Sequence, residues 1–148
     1  MAVAEYVLID NIVTALRAAG LKQAGRTQTV KEFRKGQPPE DQQLAVVPCV
    51  TIDLVDGGDE RNLTSDSNIA SVPIEIVAWV GGRGADSDKR AAIELLNDCL
   101  KALETQAAIV GIASNDFAAS QLSIVWHMGA TGARKVVSYE MNWARDAR

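Results

Sequence analysis

The sequence feature that most constrains the fold is an amphipathic helix pattern in residues 88–104. Apolar residues recur there at helical spacing, at Ala92, Leu95, Leu96, Cys99, Leu100 and Leu103. Asp86 and Ser87 precede the pattern, and both are residue types that cap helix N-termini. Because the apolar stripe has to be buried, the pattern predicts a helix that packs on a sheet.

A second helix is predicted near the beginning of the chain, at residues 6–19. Leu8, Ile12 and Leu16 recur every four residues and form one apolar stripe. Gly20 follows in the position where a left-handed backbone often ends a helix.

Four other segments have the alternation that is typical of strands, namely residues 45–55, 71–80, 121–128 and 134–144. Weaker strand candidates lie at residues 27–33 and 107–113. The polar residues 60–68 are predicted to form a long hairpin arm or a loop, and the Gly-Ala-Thr-Gly stretch at 129–132 a hairpin loop.

The order of these segments is helix, hairpin, helix, hairpin. It predicts an α+β fold, a mainly antiparallel β-sheet of four to five strands with two helices packed on one face. A length of 148 residues is usual for one domain, so residues 1–148 are interpreted as a single domain.

Composition argues against several classes of protein. The net charge of -4 gives no general attraction to nucleic acid. Two distant cysteines, Cys49 and Cys99, and one histidine are too few for a metal site, so no metal or cofactor is expected. Residues 1–9 lack a basic leader and no apolar run approaches ~20 residues, so neither export nor a membrane contact is expected.

The sequence offers little for catalysis. His127 is the one candidate for an ordinary general base at neutral pH, and Ser123 is too far along the same strand to pair with it directly. The carboxylates cluster in turns and at a helix start, at Asp53, Asp56, Asp59, Glu60, Asp66, Asp86 and Asp88. The protein is therefore predicted not to be an enzyme, with an enzyme built around His127 as the weakest alternative.

The main functional alternative is a small-ligand or phosphate-binding module that uses the loop from Gly81 to Gly84. The loop lies between a predicted strand and a predicted helix, and helix N-termini bind anions. It lacks the Lys-Ser/Thr pair of a phosphate-binding loop, and Asp86 and Asp88 would repel an anion there.

The three tryptophans separate into two groups. Trp126 and Trp143 belong to sets predicted to face the core, which are Leu122, Ile124, Trp126 and Met128, and Val137, Tyr139, Met141 and Trp143. Trp79 and Val77 instead make the far side of their strand apolar. Such a surface is expected to be covered either by another subunit or by a packed N-terminal segment.

The layout resembles that of the tail terminator and tail completion (neck) proteins of long-tailed bacteriophages. The matching stretches are the first helix, ending in Ala-Leu-Arg-Ala-Ala-Gly-Leu at 15–21, the apolar strand at 72–80, the helix at 88–104 and the closing strand at 136–143. The resemblance implies a structural protein that forms a ring, commonly of six subunits, on the last ring of tail tube protein. It would end tube polymerisation and present the joining surface to the head or neck.

The resemblance also implies a location in the virion after assembly in the host cytoplasm, with DNA only as passing cargo. It supplies no catalytic residues. A closed ring needs two different complementary patches on each subunit. The candidate interface residues are Val77 and Trp79, Arg61 in the polar arm, and Lys31 and Arg34 in the basic segment.

Overall fold

In a computed structural model, the described part of the chain comprises residues 4–19, 30, 32–36, 48–55, 59–62, 67–81, 84–104, 113–116 and 121–144. Two helices and seven strands follow one another along it. They are α1 (Ala4–Ala18), β1 (Glu32–Lys35), β2 (Cys49–Leu54), β3 (Asp59–Asn62), β4 (Ser67–Val80), α2 (Ala85–Glu104), β5 (Ala113–Asp116), β6 (Ser123–His127) and β7 (Ala130–Ala144).

The seven strands form one sheet of five rows, in the order β1, β2, β4, β7, β5. β3 pairs with β4 on the same side as β2, and β6 pairs with β7 on the same side as β5. All neighbours are antiparallel except β1 and β2, which are parallel. The predicted fold class, α+β with a mainly antiparallel sheet and two helices on one face, is confirmed.

The centre of the sheet is a long antiparallel pair. β4 and β7 stay in register from Ser67 opposite Ala144 to Val80 opposite Thr131. Both strands exceed the predicted segments, 71–80 and 134–144. β7 begins early because the preceding turn is short. The predicted hairpin is present, but its turn consists of Met128 and Gly129 and not of residues 129–132. Both have positive φ, 45° and 88°, as a type I′ hairpin turn requires.

The three short strands β3, β1 and β5 lie in or next to segments for which the sequence supports only weaker predictions. β3 pairs antiparallel with residues 68–71 of β4, so the polar segment forms a hairpin arm where it is described. β1 begins at Glu32, near the end of the strand candidate at 27–33. β5 begins at Ala113, the last residue of the candidate at 107–113, and residues 107–112 lie outside the described residues.

The helix α2 begins at Ala85, three residues before the predicted start. The backbone N–H of Asp88 donates to the carbonyl oxygen of Gly84 at 2.9 Å, so Gly84 is the N-cap. The expectation that Asp86 or Ser87 caps the helix is therefore wrong. Both lie in its first turn, where the Asp86 carboxylate is favourable beside the positive end of the helix dipole.

The helices form one layer over the sheet. α1 lies over β1 and β2, α2 lies over β4 and β7, and the helices contact each other. The predicted stripe of α2 is buried, with Leu95, Leu96 and Cys99 fully inaccessible. The same core includes Ile74, Ile76 and Val80 of β4 and Val137 and Tyr139 of β7. None of the helices in the described residues is long and apolar enough to span a membrane.

One predicted core set is largely wrong. Ile124 packs against the core, but Leu122, Trp126 and Met128 are 44%, 65% and 49% exposed. β6 lies at the edge of the sheet, and α2 lies over β4 and β7 instead. In the other set Val137 and Tyr139 are buried as predicted. The structure describes the strand backbone at Met141 and Trp143 but not their side chains.

Candidate functional site

The sheet face opposite the helices carries a small apolar cluster of its own, here called the far-face cluster. It consists of Cys49, Val77, Trp79 and Ala130, with Val125 packed against it. Its centre is the Trp79 indole, whose Nε1 donates to Thr51 Oγ1 on β2 at 2.9 Å. On the other side of β4, the indole ring lies over Gly132 of β7, its partner in the register.

Gly132 is required by this packing. A Cβ atom there would lie 2.8 and 2.9 Å from two carbons of the Trp79 ring and 2.8 Å from Val77 Cγ1. Such distances are far inside van der Waals contact. The indole thus spans β2, β4 and β7, and the ring of His127 on β6 meets it edge-on with centroids 6.0 Å apart.

Burial within the single chain bears on the expected cover of Trp79 and Val77, which was either another subunit or a packed N-terminal segment. Val77 is 1% exposed and Trp79 is 4% exposed within the single chain. The hydrogen bond to Thr51 and the bare backbone of Gly132 let the indole lie down on its own sheet. A role for Val77 and Trp79 at an interface stays a prediction, and neither side chain is exposed in the single chain.

A cleft of about 230 Å³ adjoins the far-face cluster. It is lined by Glu75, Val77, Trp79, Val125, Trp126, His127 and Arg134. Across its floor, Arg134 Nε donates to Glu75 Oε2 at 2.7 Å, a charge-assisted hydrogen bond between partly buried side chains. The principal charges of the cleft are therefore paired with each other.

The positions of Ser123 and His127 do not form a nucleophilic pair. They stand at the two ends of β6, opposite Arg134 and Ala130 respectively. Four residues of extended strand separate them by about 13 Å. An activated serine requires a base within about 3 Å, so this pair lacks the geometry of acyl transfer.

The glycine loop is described only at its two ends. Gly84 has φ of 99°, which favours glycine, and Gly82 and Arg83 lie outside the described residues. Asp86 is exposed and Asp88 is buried in the first turn of α2. Two carboxylates at the helix start oppose anion binding, so nothing in the described geometry favours the phosphate-binding alternative.

Both cysteines are buried free thiols, as the sequence indicated. Burial raises the pKa of Cys49 to about 12, with Glu32 raising it further and Arg34 lowering it. Burial likewise raises the pKa of Cys99 to about 12, with a smaller contribution from Asp98. Both thiols are protonated at neutral pH. Within the described residues no three histidine, cysteine, aspartate or glutamate side chains converge as metal ligands.

The remaining predicted interface residues are dispersed. Arg34 lies in β1 with its Nε 3.9 Å from Glu32 Oε1, and the register places it in one row with Thr51 and Val77. Arg61 lies in β3 opposite Ile69 of β4. Lys31 lies outside the described residues. The structure therefore brings Arg34 onto the row of Val77 but assembles no single patch from these residues.

The surface that the sequence reading missed is an edge patch formed by Leu122, Trp126 and Met128. Lys89 of α2 places its Nζ 5.8 Å from the centroid of the Trp126 ring, a cation–π contact. A signal was present in the sequence. Residues 122–128 contain no acidic residue, lysine or arginine, which is unusual for a strand with a solvated side.

No family model matches the chain, and no curated protein matches it. Support for a function therefore comes from the residues and their geometry.

Proposed function

We propose that this protein is a structural component of a bacteriophage tail. It forms a ring, commonly of six copies, that caps the tail tube, ends its polymerisation and provides the joining surface to the head or neck. Its place is in the virion, after assembly in the host cytoplasm. The support is the resemblance in layout together with the shape of the sheet.

The observation that carries the proposal is that the sheet has two unlike edges. Among the described strands, β1 pairs only with β2 at one edge, and β6 pairs only with β7 at the other. β1 carries Glu32, Arg34 and Lys35, whereas β6 has no charged residue. Two different edges on one subunit suit a head-to-tail contact, which closes into a ring when the rotation between copies allows it.

The far face supports assembly over catalysis. The Trp79 indole and the Glu75–Arg134 pair satisfy their polar groups within the chain. Glu75 of β4 and Arg134 of β7 thus link two strands of the sheet. Net acidity also suits a ring through which DNA passes without strong adhesion.

The proposal predicts a tail tube gene close to the gene of this chain, and the test uses the purified product of that gene. Purified protein is added to growing tubes at one ring per tube end, and tube lengths are measured by negative-stain electron microscopy. We expect short tubes with a ring at one end. An unrelated acidic protein of similar size serves as the control. Unchanged tube lengths with no density at the ends would contradict the proposal.

A further inference from the structure

Among the described strands, β6 lies at an edge of the sheet. Natural sheets shield their edges with lysine, proline, bulges or a covering element, because free backbone groups pair with other chains. β6 reads Ser-Ile-Val-Trp-His and has none of these residues, and no described strand lies on its outer side. β1, at the opposite edge, carries three charged residues among four. The β6 edge therefore needs a covering partner more than the β1 edge does.

The edge patch adds apolar side chains to this backbone edge. Leu122, Trp126 and Met128 are 44%, 65% and 49% exposed. Together, three large side chains at about half exposure present roughly 300 Å² of apolar surface to solvent. That is the size of the largest, often functional, patch on a typical monomer. It is well below the ~800 Å² per partner of a stable interface, so the patch suits the centre of a weak contact.

A second exposed apolar pair lies at the other edge of the molecule. Tyr6 and Val7 of α1 are 57% and 37% exposed. Asp10 of α1 forms an ion pair with Lys35 of β1, so this side of the helix faces the β1 edge. Tyr6 lies one turn before Asp10 on the same side. The molecule thus carries unlike aromatic patches at its two lateral edges.

The charges beside the two patches differ. The Lys89 ammonium lies over the Trp126 ring. The Asp10 carboxylate, one turn from Tyr6, is 55% exposed and its exposed pairing with Lys35 contributes little. Two β6 edges facing each other would bring two Lys89 ammonium groups together and leave Tyr6 and Val7 uncovered. When unlike edges meet, the Lys89 ammonium instead faces the Asp10–Lys35 pair, which offers it a carboxylate.

We infer that the β6 edge of one copy docks on the α1–β1 edge of a second copy, with the edge patch against Tyr6 and Val7. This inference rests on the proposed function, for which it supplies the contact between neighbouring subunits. Each copy then makes two weak contacts. Closure into a ring makes the last contact intramolecular, which stabilises the assembly beyond any single contact.

The first test compares assembly of the wild type and Trp126→Ser by sedimentation velocity over a concentration series. We expect the concentration of half-assembly to rise at least tenfold for Trp126→Ser. Asn97→Ser, exposed on α2 and outside both patches, is the matched control and should assemble like the wild type. Circular dichroism melting checks that each variant folds. Equal assembly of all three proteins would overturn the inference.

The second test identifies which edges meet. Leu122→Cys and Val7→Cys proteins are treated with a bismaleimide, separately and mixed. We expect crosslinked dimers only in the mixture, because each contact contains one residue of each kind. Cys49 and Cys99 are buried and do not react. Crosslinking of Leu122→Cys alone would show two β6 edges meeting and would overturn the inference.

The two proposals fail differently. If rings form and cap tubes but the mixture gives no crosslink and Trp126→Ser assembles normally, only the docking geometry is wrong. If the wild type stays monomeric both alone and with tubes, the proposed function fails together with the inference.

Discussion

At the scale of single residues, the far face depends on one absent side chain. Gly132 looks like a loop residue in the sequence, within Gly-Ala-Thr-Gly. The register instead sets it opposite Trp79, so that an indole lies on bare backbone. Sequence reasoning identified Trp79 as a residue on the far side of its strand. It could not place Gly132 beneath it, because cross-strand partners follow from the register and not from local pattern.

Gly132→Ala should destabilise the protein. The new methyl group would lie 2.8 to 2.9 Å from the Trp79 ring and Val77 Cγ1, and these buried groups have to move. Overpacking of this kind costs ~1–3 kcal/mol. Urea unfolding measures the loss. Gly81→Ala is the matched control, since its Cβ meets nothing closer than 3.4 Å. Equal stability of both variants would show that Trp79 does not lie on Gly132.

The two buried thiols predict a loss of stability at high pH. Their pKa values are near 12 in the folded protein against an ordinary 9.0, so the folded state keeps protons that the unfolded state releases. Stability is fully present below pH 9.0 and falls as pH rises from there toward 12. Over this range each thiol lowers the free energy of unfolding by up to about 1.4 kcal/mol per pH unit.

Urea unfolding between pH 7.5 and 10.5 measures this slope. The Cys49→Ala/Cys99→Ala double variant is the comparison, because it lacks both titrating groups. Its stability should be lower at neutral pH but should decline less steeply. An identical slope in both proteins would mean that the thiols are accessible to solvent in the folded state.

At the scale of elements, the sequence predicted best where one element carries its own signal. The stripe of α2 and the alternation of β4 were both recognised, because helical spacing and pleating are local. In β6 the predicted burial of the core-facing set is right only at Ile124. Alternation shows which residues share a face, whereas the cover over that face depends on where the strand lies in the sheet. As an edge strand, β6 leaves Trp126 exposed.

The β6–β7 turn predicts a stabilising substitution. Met128 has φ of 45°, in the left-handed region that asparagine tolerates better than methionine. Met128→Asn would create Asn-Gly, the preferred type I′ pair, and should stabilise the protein by ~0.5–1 kcal/mol. Thermal unfolding checks the gain. Gly129→Ala, at φ of 88°, should destabilise it. A less stable Met128→Asn variant together with a more stable Gly129→Ala variant would contradict the assigned turn.

At the scale of the whole molecule, the order of helices and hairpins was enough for the fold class but not for the sheet order. The parallel pairing of β1 with β2 had no signature, because β1 is a short segment within polar sequence. Parallel neighbours require a crossover connection, which cannot be recognised when the connection lacks a periodic pattern. That pairing nevertheless decides which residues form the edge opposite β6.

The whole molecule should also show no response to phosphate compounds. A ligand that binds only the folded state raises the melting temperature. The Asp86 and Asp88 carboxylates at the start of α2 oppose an anion at the glycine loop, so we expect no shift with inorganic phosphate or nucleotides. A concentration-dependent rise, lost in Gly84→Ala, would favour the binding-module alternative.

The pairing of β4 with β7 has a bearing on biosynthesis. β4 is translated before α2, β5 and β6, yet its long neighbour is β7, which follows all of them. Contacts so distant along the chain form slowly and late. β6 is held in the sheet through β7, so its outer edge takes shape only once that central pair has closed. A nascent chain would therefore not present the proposed docking surface on the ribosome, which would limit association between copies translated from one messenger.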